Sequence, residues 1–392
     1  MTIMGFAQRL PVRFYTDLQD VVRAAAEQAG YAALLTDDPE DVAYLTGFFH
    51  HPCERPVAVL LPVDGPAVLL LPELEAEHAQ VQNAAAELIA YPEFPGIREP
   101  FAFLADRARG RVGFPPSMSV GRLDLVRAAL PGAELSPTDL VMRERYRKRP
   151  EEVALHQEAA RITDLMLVEG RKLVEDAIAA GGELPSEAEL AAHVSSVGTG
   201  TMYADHDDVV VVSFLAGGLV YAARNSARPH GLPSAYRLQP GDTFVLSLGC
   251  AVGGRFVEGE RTFVLGEPTA EQERYYTAVQ QAQQTGTEAL RPGLTCAEAN
   301  KICLDVIRSA GLGRYLRHRQ GHGIGLGMHE PPWLEDGDPT VLEPGMVVSN
   351  EPGIYVPDHG GYRISDSMLI TEEGARPFTA YPRGLADVIV PV

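Results

Sequence analysis

Two histidines stand in a glycine-rich segment of the chain. The segment reads GHGIGLGMHEPPW and places His322 and His329 seven residues apart, with a carboxylate and two prolines directly behind them. Imidazole binds divalent metal ions, and it also transfers protons near neutral pH because its pKa is about 6.5. Glycine allows a bound group to approach the backbone closely. The segment therefore predicts a site for either a metal ion or a substrate.

The elements around this segment predict the domain that positions it. Apolar residues recur at helical spacing from Pro150 until Gly181 and Gly182. The stretch DTFVLSLGCAVGGRFVEGERTFVLG is typical of two strands around a glycine turn. Further helices are predicted in SEAELAAHVSSVG, over 270–290 and over 296–310, and further strands in VVVVSFLAG, VVSNEPGIYV and YRISDSMLIT. This order predicts an α+β domain over residues 150–392, with its helices on one side of a largely antiparallel sheet.

The first part of the chain has a different pattern. DLQDVVRAAAEQAG has helical spacing, YAALLTD is a short apolar run of strand length, and VAVLLPVDGPAVLLLP is typical of two strands across a turn. The pattern predicts a smaller α/β domain over residues 1–145. The basic cluster RERYRKR, at 143–149, is predicted to be a solvated linker between the two domains.

Composition excludes several classes of function. The 53 acidic and 33 basic residues give a formal charge of -20, which repels nucleic acid and anionic membranes. No run of apolar residues reaches the roughly 18 needed to span a bilayer. The N-terminal residues show no secretory leader, so we expect a cytoplasmic protein. Four dispersed cysteines without a CxxC pair predict neither a disulfide framework nor a zinc cluster.

Five motifs carry a resemblance to a known family. The chain resembles the pita-bread metallopeptidases, which include Xaa-Pro dipeptidases (prolidases), Xaa-Pro aminopeptidases, methionine aminopeptidases and metal-free relatives such as creatinase. In the peptidases of that family, Asp, Asp, His, Glu and Glu hold two divalent ions, in this chain order. The residues at the corresponding positions here are Ser247 in LSLG, Glu258 in EGERTF, His322 in GHGIG, Glu351 in EPGIY and Ser365 in RISD.

The resemblance extends over nearly the whole chain. The spacings between the five positions are similar to those of the prolidase branch, and DPEDVAYLTGFF is similar to the N-terminal domain of prolidases and creatinase. The resemblance therefore implies a pita-bread C-terminal domain preceded by a smaller α/β creatinase-type domain. It also implies a homodimer.

Three of the five ligand positions are altered. Ser247 and Ser365 replace carboxylates, and a neutral hydroxyl is a weak ligand for a hard divalent ion. We therefore do not expect a dinuclear centre. A single manganese, cobalt or zinc ion on Glu258, His322 and Glu351 stays open, because two carboxylates and one imidazole form an ordinary mononuclear set.

The third alteration is Glu258, which replaces an aspartate and is one methylene longer. Its neighbour Glu260 should point to the same face of a strand. Glu260 is predicted either to supply a replacement carboxylate or to pair with a nearby arginine such as Arg255 or Arg261. If no ion is bound, Glu258 and Glu351 would repel each other, so that one of them would need a cation or a proton.

Other family positions hold groups that can contact a substrate. The resemblance implies catalytic roles for His230, His329 and Glu351, and substrate binding by His322, Arg363 and Glu258. A serine nucleophile formed by Ser247 with His230 is not supported, because LSLG is no nucleophile elbow. The sequence HDD at 206–208 is predicted to be a solvated loop rather than a second metal site.

Three functions follow from these residues. The first is a prolidase-like hydrolase of Xaa-Pro dipeptides that works with at most one ion. The second is a metal-free hydrolase of C–N bonds, similar to creatinase, that acts on a small zwitterionic substrate. The third is a protein that binds a peptide or a small molecule without turnover. All three predict a small peptide or zwitterion as the partner, and neither nucleic acid nor membrane.

Overall fold

The chain divides near Arg145 into two units that contain different sheets. The computed structural model describes residues 7–92, 96 and 98–392. One unit contains Arg9–Arg145 with Val210–Ser213, and the other contains Tyr146–Val209 with Phe214–Val392. In the described part of the chain, no helix is both long enough and apolar enough to cross a bilayer.

The first unit alternates helices with short, buried strands. Its second helix begins after Asp38, whose side chain accepts hydrogen bonds from two backbone N–H groups of the first turn. The elements are α1 (Val12–Gln28), β1 (Ala33–Thr36), α2 (Pro39–Thr46), β2 (Ala58–Pro62), β3 (Val68–Pro72), α3 (Glu73–Val81), β4 (Glu87–Tyr91), β5 (Gly110–Phe114), α4 (Val120–Ala129), β6 (Ala133–Pro137) and α5 (Leu140–Arg145).

The six strands of this unit form one mixed sheet. Their order is β4-β3-β2-β1-β5-β6, with antiparallel pairs from β1 to β3 and parallel pairs towards both edges. Leu35, Leu60, Leu70 and Val112 are fully buried in one apolar cluster with Phe101. The predicted helix and strands of this part are confirmed, and Gly30 at the end of α1 has a positive φ of 75°.

The second unit begins with two long helices that pack against its sheet. Ser186 caps the second of them by accepting the N–H of Glu189, which in turn accepts the N–H of Ser186. The elements are α6 (Pro150–Ala179), α7 (Glu187–Asp205), β7 (Ala216–Ala222), β8 (Thr243–Val252), β9 (Arg255–Leu265), α8 (Ala270–Ala289), α9 (Cys296–Ser309), β10 (Gly321–Gly323), β11 (Glu330–Leu334), β12 (Val347–Asn350), β13 (Gly353–Val356), β14 (Gly360–Arg363), β15 (Ser365–Thr371), β16 (Gly374–Pro377), α10 (Leu385–Val388) and β17 (Ile389–Val390).

A nine-stranded sheet forms the centre of this unit. Its main order is β11-β10-β12-β15-β9-β8-β7, with β16 added beside β15 and β17 beside β9. All of these pairs are antiparallel except β17 with β9. The predicted hairpin is confirmed as β8 and β9, which turn at Gly253 and Gly254 with φ of 56° and 75°.

Two predictions about local structure are wrong. The apolar run at 209–217 is not a strand, because β7 starts only at Ala216 and most of the valines precede it in irregular backbone. The basic cluster is not simply solvated. Arg145 is buried and pairs with Asp41 at 2.9 Å, and Lys148 is buried and pairs with Glu330 at 3.0 Å. A buried acidic partner for each cation explains the difference, and sequence spacing could not show it.

Candidate active site

The register of three neighbouring strands brings predicted site residues together. On β9, Glu260 pairs with Ser247 of β8 on one side and with Ser365 of β15 on the other. Glu258 lies two residues before Glu260, and both glutamates border the same cavity of about 660 Å³, as expected from strand periodicity. The cavity is also lined by Phe214, Leu219, His230, Ser247, Phe256, His318, His322, Met328, His329, Glu351 and Arg363.

His322 lies between two carboxylates. Its Nε2 atom is 3.2 Å from Oε1 of Glu351 and 3.7 Å from Oε2 of Glu258, and it makes no well-aligned hydrogen bond among the described residues. The other ring nitrogen, Nδ1, lies 3.0 Å from the carbonyl oxygen of Gly323. Ser349 links His322 to Glu351, because its hydroxyl accepts the backbone N–H of His322 and lies 3.4 Å from Oε1 of Glu351. The imidazole thus supplies the cation that two facing carboxylates need.

Burial and charge give the two glutamates different protonation states. Burial raises the pKa of Glu258 to about 8, and repulsion from Glu351 adds to this shift. Burial also opposes the charge of Glu351, but contact with His322 outweighs it and holds the pKa of Glu351 well below its usual range. Burial opposes the charge of His322, yet the two glutamates raise its pKa to about 9. At neutral pH, His322 and Glu351 therefore form an ion pair, and Glu258 carries a proton.

The two serines at altered ligand positions contact glutamates. Ser365 donates a hydrogen bond of 2.8 Å to Oε1 of Glu258. Ser247 donates to Oε1 of Glu260, and its oxygen accepts a bond of 2.8 Å from Nη2 of Arg363. Each hydroxyl is therefore committed to a carboxylate of β9.

Glu260 forms an ion pair with Arg363, with 2.5 Å between Oε2 and Nε. The prediction that its partner would be Arg255 or Arg261 is wrong. Those two arginines are buried elsewhere, because Arg255 pairs with Glu152 at 2.9 Å and Arg261 pairs with Asp366 at 2.8 Å. Arg363 is distant in sequence but is the last residue of β14, which contacts β9, and only the fold reveals this pairing.

Both carboxylate oxygens of Asp366 are hydrogen-bonded. It is completely buried, and its two oxygens accept hydrogen bonds from Arg261, Thr379, Gln283 and Arg383. These four donors neutralise the carboxylate and direct it away from the cavity, whose lining does not include it. Asp366 is therefore a structural residue next to Ser365 rather than a substitute ligand.

His329 lies on the segment between β10 and β11 and faces His322. The two rings have centroids 3.9 Å apart and an interplanar angle of 37°. Although His329 is exposed as a residue, desolvation of its ring and the nearby His322 cation lower its pKa to about 4. The imidazole is therefore neutral at neutral pH. His230 is exposed at another part of the cavity wall.

One group of donors in the described residues has the spacing of a metal site. Donor atoms of Glu258, His322 and His329 all lie within 4.8 Å of one another. One carboxylate and two imidazoles form an ordinary ligand set for a single transition-metal ion, and the buried Nε2 of His322 lacks an aligned partner. These residues fit one ion. The sequence pattern placed Glu351 in this set instead of His329.

Three residues around Arg363 were missed by the sequence reading. Tyr221 and Tyr355 accept hydrogen bonds from Arg363 at 2.7 Å and 3.2 Å, and His318 contacts the Tyr355 hydroxyl at 2.8 Å. Tyr355 is the last residue of the EPGIY motif that begins at Glu351, and this motif is a signal that could have identified it. Tyr221 and His318 carry no such signal, because they belong to segments without a recognisable motif.

His206 of the sequence HDD contacts two side chains of the same unit. Nε2 of His206 lies 3.0 Å from Glu158 and Nδ1 lies 3.0 Å from the Gln8 amide, and the side chain is buried. The expectation of a solvated loop is therefore wrong for His206, because the partly exposed Glu158 on α6 pairs with this buried ring. Within the described residues, only the Glu258, His322 and His329 group has ligand spacing.

Sequence and structure comparisons identify the family. Residues 154–372 match the metallopeptidase family M24, and residues 19–146 match the creatinase/prolidase N-terminal domain. The chain belongs to metallopeptidase family M24. It is 32% identical to a probable dipeptidase PepE of Mycobacterium tuberculosis over 98% of this chain and 99% of that protein. It is 30% identical to an Xaa-Pro dipeptidase of Lactobacillus helveticus over 91% of this chain and 94% of that protein.

Solved structures agree with this assignment. The crystal structure of dipeptidase PepE from Mycobacterium ulcerans has a TM-score of 0.84 at 30% identity, covering 98% of this chain and all of that chain. The prolidase from Pyrococcus horikoshii has a TM-score of 0.82 at 27% identity, covering 94% and 99%. The expected pita-bread domain with a preceding creatinase-type domain is confirmed, as is the expectation of a peptidase-like hydrolase of the M24 family.

A glycine before His322 provides a test of how the site is positioned. A Cβ atom at Gly321 would lie 2.1 Å from the carbonyl oxygen of Ser349 on β12. Gly321→Ala should therefore force β10 away from β12, lower the free energy of unfolding by about 1–3 kcal/mol and displace His322. Gly200→Ala on α7 is the matched control, because nothing lies within 4 Å and alanine favours a helix. Urea unfolding would contradict the prediction if both variants were equally stable.

Proposed function

We propose that this M24 peptidase hydrolyses Xaa-Pro dipeptides and uses at most one divalent ion to do so. The observation that carries the proposal is the position of His322 between Glu258 and Glu351 in a cavity of about 660 Å³. A relative described as an Xaa-Pro dipeptidase matches 91% of this chain, and a prolidase structure matches 94%. A dipeptide matches a cavity of this size, since small-molecule sites typically measure about 300–1,000 Å³.

The proposed ion is manganese, cobalt or zinc, held by Glu258 and His322 with His329 or Glu351 as the third ligand. When bound, such an ion polarises a carbonyl group and lowers the pKa of a bound water. Glu258 would release its proton to become a ligand. His329 is neutral at neutral pH, so its ring nitrogen is available as a donor.

The remaining roles concern binding and proton transfer. Glu351 stays ionised, so it can accept a proton from the attacking water while the new C–O bond forms. The same proton then passes from Glu351 to the prolyl nitrogen as the C–N bond breaks, and His230 or His329 on the cavity wall can relay it by accepting it and passing it on. The apolar walls formed by Phe214, Phe256 and Met328 can hold the pyrrolidine ring.

A metal-free C–N hydrolase of a small zwitterion is the second candidate. The observation that favours it is charge balance within the cavity. Glu351 pairs with His322 and Glu260 pairs with Arg363, so an ion is not required to neutralise these four side chains. Binding without turnover is the third candidate, because the same charges could hold the two ends of a zwitterion.

Metal content and activity together test the proposal. Protein purified without chelator should hold about one equivalent of manganese, cobalt or zinc, because Glu258, His322 and His329 form a single group with ligand spacing among the described residues. Removal with a chelator should abolish hydrolysis of Xaa-Pro dipeptides, and one added equivalent should restore it. Two equivalents that survive dialysis would overturn the single-ion site.

The other outcomes separate the three candidates. Hydrolysis of a small zwitterion that survives the chelator, with none of Xaa-Pro dipeptides, would favour the metal-free enzyme. Saturable binding of a dipeptide without product would favour the binding protein. A non-Xaa-Pro dipeptide of equal size, such as Ala-Ala, is the control for selectivity.

Two further expectations belong to this proposal. Family resemblance supports a homodimer, which sedimentation at micromolar concentration should detect as twice the mass of 42.3 kDa. A single species at the chain mass would contradict it. We also propose a cytoplasmic location. Recovery in a membrane or extracellular fraction would contradict that location.

A further inference from the structure

We infer that the guanidinium of Arg363, paired with Glu260, is a built-in cation that closes the half of this cavity beside Ser247 to a second divalent ion. The inference deepens the proposed single-ion site and rests on it. It concerns the half of the cavity beside Ser247, whereas the proposed ion belongs to the half that contains His322.

Arg363 is held in a cage of polar groups. Its Nε lies 2.5 Å from Oε2 of Glu260, and its Nη2 donates to Ser247 at 2.8 Å and to Tyr221 at 2.7 Å. Its Nη1 donates to Tyr355 at 3.2 Å. The side chain is 5% exposed and that of Glu260 is 6% exposed. Four groups on four different strands therefore fix the position of the positive charge.

The charge of this cage is already balanced. Burial opposes the charge of Arg363, but the adjacent Glu260 keeps the pKa of Arg363 well above its usual range. Glu260 is the carboxylate within reach of Ser247: its Oε1 accepts the Ser247 hydroxyl, and its Oε2 lies 2.5 Å from Nε of Arg363 as an ion pair without an aligned hydrogen bond. A hard divalent ion binds anionic oxygens, and a guanidinium offers donors alone. Among the described residues, the carboxylate of this cage therefore already has a cation of the chain as its counter-ion.

The ion pair of Glu260 with Arg363 accounts together for the serine at position 247 and the glutamate at position 260. Ser247 stands directly opposite Glu260 in the register of β8 and β9. A carboxylate is absent from position 247 but present at position 260, and it faces Arg363 rather than an ion. The residues therefore do not fit a second ion, because a cation of the chain occupies the carboxylate that would have to bind it.

Removal of the built-in cation provides the test. Arg363→Met deletes the charge, retains an unbranched side chain of similar length, and leaves Glu260 without its ion pair. Chelator-treated protein would be dialysed against Mn²⁺ alone, and bound manganese would be counted by elemental analysis. We expect the variant to bind one more Mn²⁺ per chain than wild type and to gain about 5 °C more in Tm at saturating Mn²⁺.

The double variant Arg363→Met with Glu260→Gln is the matched control. It removes cation and carboxylate together, so the additional Mn²⁺ should disappear and the count should return to that of wild type. An unchanged manganese count in Arg363→Met would overturn the inference. Two Mn²⁺ in wild type, with Arg363 in place, would overturn it as well.

A second variant covers the case in which Arg363→Met does not fold. Ser247→Asp keeps the guanidinium and adds a carboxylate beside it. We expect no additional Mn²⁺, because Asp at this position would pair with Arg363, and a gain of one Mn²⁺ would contradict the built-in cation. These counts need no substrate. Absence of the proposed dipeptidase activity would therefore leave the manganese counts unchanged. A failure of the proposed function can thus be distinguished from a failure of the inference about Arg363.

Discussion

His322→Ala is expected to lower kcat/KM for Xaa-Pro dipeptides by about a thousandfold, the upper end of the effect of removing one preorganised charge-stabilising group. The variant loses a ligand of the proposed ion. It also loses the cation between Glu258 and Glu351, whose carboxylate oxygens lie 3.7 Å and 3.2 Å from Nε2 in the native protein. Because Glu258 already carries a proton at neutral pH, the deletion leaves Glu351 as the buried carboxylate without its paired imidazolium, and the pKa of Glu351 should rise.

The effect should be visible in metal content as well as in rate. Elemental analysis of His322→Ala after dialysis should return clearly less than one equivalent of metal. His51→Ala is the control, because His51 is exposed and does not line the cavity. Its rate and metal content should equal those of wild type. If His322→Ala kept a tenth or more of the wild-type kcat/KM, the central position of this histidine in catalysis would be wrong.

Asp366→Ala should lower the free energy of unfolding by about 3–5 kcal/mol, the cost of breaking a buried ion pair by removing one partner. Asp366 and Arg261 are both completely buried, and 2.8 Å separates the paired atoms. The deletion leaves the Arg261 charge without its carboxylate and removes the acceptor of Gln283, Thr379 and Arg383. Urea unfolding followed by circular dichroism would measure the loss.

The matched control for this experiment is Asp176→Ala on α6 of the same unit. Asp176 is 68% exposed and lies 4.0 Å from Lys172, an exposed pair whose contribution should stay below about 1 kcal/mol. If the two variants were destabilised equally, the buried network around Asp366 would not contribute as its geometry indicates.

The sequence predicted the elements of the site better than it predicted the pairing of its charges. Glycine turns and apolar periodicity located α6, α8, α9 and the hairpin of β8 and β9, because these signals depend on residues close in sequence. The run of valines at 209–217 misled the prediction. Such a run is compatible with a buried strand, and only the partner strands decide where pairing begins.

Partners of buried charges could not be predicted from sequence. Glu260, Arg255 and Arg261 lie within six residues, yet each forms an ion pair with a residue at least 100 positions away. Local spacing favoured a pairing among neighbours. Strand register and the position of β14 decided otherwise, and both are properties of the tertiary fold.

Glu258 and Glu260, which line the cavity, both lie on strand β9. Residues two apart on a strand are separated by about 7 Å, a distance that the covalent backbone sets. Acidic groups on separate strands depend instead on how those strands slide and twist against one another. The spacing of the Cα atoms of Glu258 and Glu260 should therefore be insensitive to shear of the sheet, and sheet motion that moves Ser247 or Ser365 would alter which hydroxyl each glutamate meets without altering that backbone spacing.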